Sequence, residues 1–261
     1  MTNKNSLGIL GRFYLNIKEN FKSIYKSSNF YEKKLSKTFD NKFEYKPSPH
    51  LLSSITKYQN KKYKIEDFAI ESIWQKNLSS KDYIKLNNFF WFFSLDLKSS
   101  KKTTQKVIKN WIINNNKYQK QSWEFDLTAR RILSWLSNHQ LTYEDSDKEY
   151  RSTFDHMIQK QTNHLLNEIK NSKEVENKIL GCAAIILTGL AYKNEKQYLA
   201  NGLNLLKNII KSSIDNQGFP KSRNIRQLIF YLKYLIIIRE WFKESQTLIP
   251  EYIDETIYYL G

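Results

Sequence analysis

Apolar residues recur along most of the chain with a helical period. The stretch "TTQKVIKNWIINN" (103–115) carries Val107, Ile108, Trp111 and Ile112 on one stripe. "DLTARRILSWLSN" (126–138) turns Leu127, Ile132, Trp135 and Leu136 inward, with Asp126 placed to cap it. In "STFDHMIQKQTNHLLNEIK" (152–170), Phe154, Met157, Ile158, Gln161, Leu165 and Ile169 keep i, i+3/i+4 spacing. "NKILGCAAIILTGLAY" (177–192) is apolar all round, which predicts a central helix packed on every side, with Asn177 as its cap. Amphipathic patterns follow at "YLANGLNLLKNIIKSSI" (198–214) and "IRQLIFYLKYLIIIREWFKES" (225–245), then Pro250 and a last short helix. The aromatic run "YIKLNNFFWFFSLDL" (83–97) reads as one helix, and "DNQGFPKSRN" (215–224) as the strongest loop signal.

The first 80 residues read differently. Phe13, Leu15, Phe21 and Tyr25 recur at roughly helical spacing, which predicts one amphipathic helix. "KPSPH" (46–50) breaks helix, and "KKYKIEDFAIESIW" (61–74) alternates at Tyr63, Ile65, Phe68 and Ile70, as a short strand or extended arm does. The expected organisation is therefore an N-terminal basic helix and arm over 1–80, then a helical domain over 81–261. Successive helices joined by short polar links pack as antiparallel hairpins. Six or more of them make either a bundle or an incomplete α/α toroid, and periodicity does not choose between the two.

Composition supports the mainly α reading, because 261 residues with only seven Gly and four Pro lack the turns of a β fold. A single cysteine, Cys182, excludes an internal disulfide and a thiolate cluster; its apolar neighbours make it a buried, inert thiol. The net charge of +16 points to nucleic acid, anionic lipid or an acidic polymer. Part of that basicity goes with a general richness in Lys, Asn and Ile. Four histidines show no HExxH or paired spacing, so no zinc site is expected, and no motif calls for a cofactor. His156 and His164, eight apart, share one helix face as two surface or half-buried groups. Lysines and aromatics in 1–40 have the chemistry to bind nucleic acid, but no nucleic-acid fold signature accompanies them. Arg12 and Lys18 interrupt "SLGILGRFYLNI", so no export signal is readable, and no apolar run reaches the roughly 18 residues of a membrane span.

The candidate chemistry centres on "WEFDLTARRILSWL" (123–136). Arg131 stands four before Trp135, where a guanidinium lies over an indole within the helical layer. The functional alternative places Trp123 and Arg130 or Arg131 on a cleft wall, Trp123 stacking on a sugar and the arginine pairing with a carboxylate or sulfate. Adjacent arginines point about 100° apart on a helix, so at most one faces the core. Arg223, in the loop after Gly218, has fewer packing duties and is the best single candidate for anion contact.

Over about residues 80–261 the order of these elements resembles the helical domain of the heparinase II/III family of polysaccharide lyases. The resemblance rests on "NNFFWFFSLDL", on Trp123, Arg131 and Trp135, on Asn177-Lys178 at the start of the apolar helix, on "LNLLKNIIKSSIDNQG", and on "NQGFPKSRN" with Arg223. It implies an α/α toroid that grips a uronate-containing polysaccharide, followed by a β-sandwich that the family would begin after "IYYLG". The chain thus looks like the helical half. The implied reaction removes the C5 proton of a uronate and expels the 4-linked oxygen, which needs a neutraliser for the carboxylate, a base and an acid. The resemblance assigns the neutraliser to Asn177. Lys178 stands where the family has its histidine, and Phe219 replaces the loop histidine. Lys178 acts as a base only if burial lowers its pKa by about three units. Three readings follow: a lyase-related protein acting on or binding acidic polysaccharide, an inert glycan-binding or scaffold domain, and a basic module for RNA or an anionic membrane surface. Residue patterns alone read as cytoplasmic, whereas the resemblance points to the periplasm or cell envelope.

Overall fold

The structure, a computed structural model, describes residues 17, 20–38, 42–56, 64, 79–193, 196–215 and 217–261. Helix is the only extended regular structure among them, joined by one isolated bridge between Ile214 and Pro220. A helical segment over 20–26 leads into α1 (Asn29–Leu35), α2 (Pro49–Thr56) and α3 (Ser80–Asn87). Then come α4 (Lys101–Asn115), α5 (Phe125–Ser137), the single turn α6 (His139–Thr142) and α7 (Lys148–Glu168). The last four are α8 (Val175–Ala191), α9 (Lys196–Ser213), α10 (Ile225–Glu244) and α11 (Glu251–Leu260). The alternation expected over 63–70 falls almost entirely outside the described residues.

Helix starts follow cap chemistry. Ser28, Ser79, Ser100 and Asp147 each accept a hydrogen bond from the backbone N–H three residues on, at Tyr31, Asp82, Thr103 and Tyr150. Asp147 therefore starts α7 at Lys148, six residues before Phe154, where the apolar period begins. Two expected caps are displaced. Glu124 is the N-cap position of α5 and Asp126 lies in its first turn; Glu174 precedes α8, so Asn177 sits inside the helix.

The aromatic run is not one helix. It stops at Asn87, and Phe89 takes a left-handed conformation (φ 58°) before a 3-10 turn over Phe90–Ser94. Asn88 Oδ1 accepts from the Phe90 N–H at 2.8 Å, which favours the break. The turn buries Phe90, Phe92 and Phe93 together, which a single α-helical stripe does not do.

Helix α8 is the spindle of the fold, buried without a break from Ile179 to Ala191. It packs against α5, α7, α9 and α10, as its all-round apolar sequence requires. Cys182 lies within it, fully buried, its thiol pKa pushed up by burial. The α8–α9 hairpin closes through glycine. A Cβ added at Gly189 would lie 2.4 Å from the Leu199 backbone nitrogen, and one at Gly202 would lie 2.8 Å from Ile186 Cγ1.

The N-terminal part is strapped onto this body. Glu168 of α7 binds Lys22 at 2.8 Å and Lys26 at 2.6 Å. Residues 42–48 are extended and alternate, with Phe43, Tyr45 and Pro47 inward and Lys42, Glu44 and Lys46 outward. The Ala191 carbonyl, at the end of α8, accepts from the Glu44 and Tyr45 N–H groups. Glu244, at the end of α10, accepts from the Tyr45 hydroxyl at 2.7 Å. This segment thus covers the C-terminal ends of both helices, whose last carbonyls need partners.

Substituting Gly189→Ala forces the new methyl into the α9 backbone, so unfolding free energy falls by about 1–3 kcal/mol. Denaturant titration measures it; a variant as stable as the parent would show that the hairpin opens freely at this point.

Candidate functional site

The tandem arginines part. Arg131 is 0% exposed, and its guanidinium is enclosed by acceptors from four segments. Nε donates to Gln161 Oε1 at 2.9 Å, Nη1 to the Asn87 carbonyl at 2.9 Å, and Nη2 to the Ser122 carbonyl at 3.0 Å and Thr128 Oγ1 at 3.4 Å. Its plane lies 3.9 Å from the centroid of Trp111. The indole beneath the guanidinium is therefore Trp111 and not Trp135, which instead meets Trp111 edge-on at 5.5 Å. Burial draws the guanidinium pKa down to about 9, leaving it charged at neutral pH. No acidic side chain among the described residues pairs with it.

Trp123 is buried as well, its indole N–H donating to the Asn115 carbonyl at 3.0 Å. His164 meets its ring edge-on and receives its backbone: Nε2 donates to the Trp123 carbonyl at 2.8 Å. That fixes the tautomer, so Nδ1 accepts from the Tyr31 hydroxyl at 2.7 Å. Burial holds the His164 pKa down to about 3. The expectation of two surface or half-buried histidines is corrected for His164; His156 alone is exposed, beside Thr38 Oγ1 at 2.8 Å. Trp123 and Arg131 are likewise corrected from cleft wall to core, because their polar atoms are satisfied by backbone and side chains inside the helical layer.

The other candidates gather at the N-terminal parts of α5, α8 and α10. Arg130 is half-buried, with its guanidinium 5.2 Å from the Phe90 ring. Burial raises the Tyr234 phenol on α10, and the Arg130 charge acts against that shift. Asn177 and Lys178 occupy the first turns of α8, half-buried, next to Glu176. Glu176 Oε2 is buried with no hydrogen-bond partner among the described residues. Its charge adds to burial in pushing the Tyr231 phenol up to about 12. Tyr231 in turn donates to Gln227 Oε1 at 3.4 Å, and Gln227 accepts from Ser222 Oγ at 2.5 Å. Ser222 precedes Arg223, whose left-handed backbone (φ 55°) projects an exposed guanidinium onto Asp215 at 2.8 Å.

Sequence reading named Arg130, Asn177, Lys178 and Arg223 but not Glu176, Gln227, Tyr231 or Tyr234. The usable signal was the i, i+3 spacing of Tyr231 and Tyr234 on one helix face, four residues after Gln227 for the first. Among the described residues no group of three or more His, Cys, Asp or Glu is arranged to hold a metal, and no helix is long and apolar enough to cross a membrane. No family model matches the chain, and neither a curated protein nor a solved structure matches it.

Because His164 must stay neutral to keep both bonds, its depressed pKa makes a stability contribution present above the unfolded value near 6.5 and lost as pH falls toward 3. The loss is on the order of 4 kcal/mol. His164→Gln offers the same donor and acceptor without titrating, so the variant should lose less stability than the parent between these limits in pH-dependent denaturation. Parallel curves would remove His164 from the acid response.

Arg131→Lys replaces a fork that reaches three segments with a single ammonium. Unfolding free energy should drop by about 3–5 kcal/mol, since buried carbonyls are left without donors. A drop under about 1 kcal/mol in urea titration would mean that the indole stack alone holds this layer.

Proposed function

We propose that this chain is a polysaccharide-lyase-related helical domain of the heparinase II/III type, with its hairpins in an incomplete α/α toroid-like ring. In this reading it binds a uronate-containing polysaccharide at the N-terminal parts of α5, α8 and α10. The observation that carries the proposal is the packing of α5 and α10 on α8, which sets the Glu176–Lys178 turn, Arg130 and the Tyr231–Gln227–Ser222 chain leading to Arg223 on helices that meet though far apart in sequence. Arg130 suits a carboxylate, Arg223 does so on leaving Asp215, the Asn177 amide adds a donor, and the unpartnered Glu176 oxygen is an acceptor for a sugar hydroxyl.

The same geometry favours binding over turnover. A tyrosine with its pKa raised to about 12 keeps its proton at neutral pH, so Tyr231 can donate to a leaving oxygen but is a poor base for a C5 proton. No histidine is among them: His50, His139, His156 and His164 all belong to other parts of the fold.

Calorimetry with oligouronates, matched neutral oligosaccharides and RNA tests the reading. Acidic glycan should bind selectively without the ultraviolet absorbance of an unsaturated uronate product, and Arg130→Ala should weaken binding by about 1–3 kcal/mol. Equal binding of neutral sugar, or steeply salt-dependent RNA binding without glycan selectivity, would sink it.

A further inference from the structure

A second place in the molecule has the makings of a site. An open cleft of about 960 Å³ lies between the extended segment 42–48, the turn 143–145 and the first half of α7. That volume is within the range of roughly 300–1,000 Å³ typical of ligand pockets. Lys42, Lys46, Lys148 and Arg151 line it together.

The acidic groups beside it are already engaged. Glu144 faces Lys46 and Lys101 at 3.5 Å each and His139 Nδ1 at 3.1 Å. Asp145 is held by Lys101 at 2.7 Å. Lys42, Lys148 and Arg151, by contrast, form no ion pair with any described residue. Arg151 is also fixed in orientation: Nε donates to Ser146 Oγ at 3.2 Å, and the guanidinium lies 5.4 Å from the Tyr143 ring centroid. Its two terminal nitrogens are thereby left to face a bidentate anion.

The floor is aromatic and rigid. Phe43 meets Tyr143 edge-on at 5.0 Å. The Tyr143 hydroxyl donates to Asp155 Oδ2 at 2.9 Å, and the Tyr192 hydroxyl to Oδ1 at 2.8 Å. The Tyr143 oxygen also accepts from the Phe43 backbone N–H, which fixes the phenol between the strap and α7. An oriented guanidinium, two further cations and an aromatic floor are complementary to a ligand that carries an anion and an apolar ring face at once.

We infer that this cleft binds an acidic sugar unit, its carboxylate or sulfate on Arg151 and Lys148 and its ring over the Phe43–Tyr143 floor. The inference shares its ligand class with the proposed function but stands on other residues, at the C-terminal ends of α5 and α8.

The test titrates the full chain with a glucuronate-containing disaccharide, a sulfated disaccharide, a neutral disaccharide and inorganic sulfate, following amide chemical shifts. The acidic disaccharides should shift residues of the 42–48 segment and of α7, and the neutral one should not. The carboxylate and sulfate arms identify which anion the cleft prefers. A Lys148→Ala, Arg151→Ala double variant should weaken the acidic disaccharide at these residues at least about tenfold. An unchanged double variant, or a cleft that takes the neutral disaccharide as well as the acidic ones, would overturn the inference. Arg130→Ala separates the two sites. If it abolishes polyuronate binding while the double variant binds like the parent, the cleft falls and the α8 end stands; the reverse result leaves the cleft and removes the other.

Discussion

One buried cation with no acidic partner among the described residues organises this fold. Taking a guanidinium out of water is expensive unless its hydrogen-bonding capacity is met. Arg131 meets it with neutral acceptors, drawn from the end of α3, the turn before α5, α5 itself and α7, and with the face of Trp111 from α4. Each acceptor is as dependent on the arginine as the arginine is on it, because a buried carbonyl left without a donor also carries a penalty. The planar fork therefore sets the relative positions of helices whose apolar stripes would otherwise tolerate sliding. It also bears on where α3 ends. The Asn87 carbonyl points at Arg131 while its side-chain oxygen accepts from the Trp111 indole at 2.9 Å, so both groups of Asn87 are spent on the core. The chain reverses immediately afterwards through the left-handed Phe89, whose carbonyl is taken by Ser134 at 2.6 Å.

This arrangement determines what is left for the surface. Trp123 and Arg131, the most conspicuous pair in the sequence, serve the interior. Chemistry available to a ligand is displaced to the two ends of the α5–α8 layer. At the N-terminal side, Arg130 and the first turns of α8 meet α10. At the C-terminal side, the strap 42–48 and α7 enclose the cationic cleft. Helix α8, apolar on all faces, contributes chemistry only at its ends, Glu176–Lys178 at one and Tyr192 at the other.

The helical content, the central place of α8, the buried thiol and the loop before α10 were legible because they rest on the apolar period and on Gly and Pro, which are local signals. Cap positions were less so. Asp126 and Asn177 are good capping residues that lie inside their helices, since Glu124 and Glu174 precede them where packing begins the turn. The break at Asn87–Phe89 was hidden because aromatic residues satisfy helix and 3-10 patterns equally. The partner of Arg131 was misassigned for a physical reason as well: i, i+4 spacing finds neighbours on one helix, whereas Trp111 lies on α4 and reaches the guanidinium across the layer. The cationic cleft was invisible in the sequence, because Lys42 and Arg151 are more than a hundred residues apart and are brought together by the strap's contacts with Ala191, Glu244, Tyr143 and Glu144.

The split between core and surface arginine also bears on the proposed reading. Recognition of a uronate requires a cation whose charge is not consumed by the protein, and the tandem supplies one of each kind: Arg131 saturated by carbonyls, Arg130 resting on the edge of the aromatic turn. Elimination would require in addition a group that gives up its proton near neutral pH. Burial works against that here, since it raises Tyr231 and Tyr234 and lowers His164, holding each in its neutral form. Neutral phenols make good hydrogen-bond donors and an unprotonated, fully enclosed imidazole makes a structural strut. The same desolvation that stabilises the helical layer thus leaves these groups suited to holding an acidic ligand and not to abstracting a proton from it.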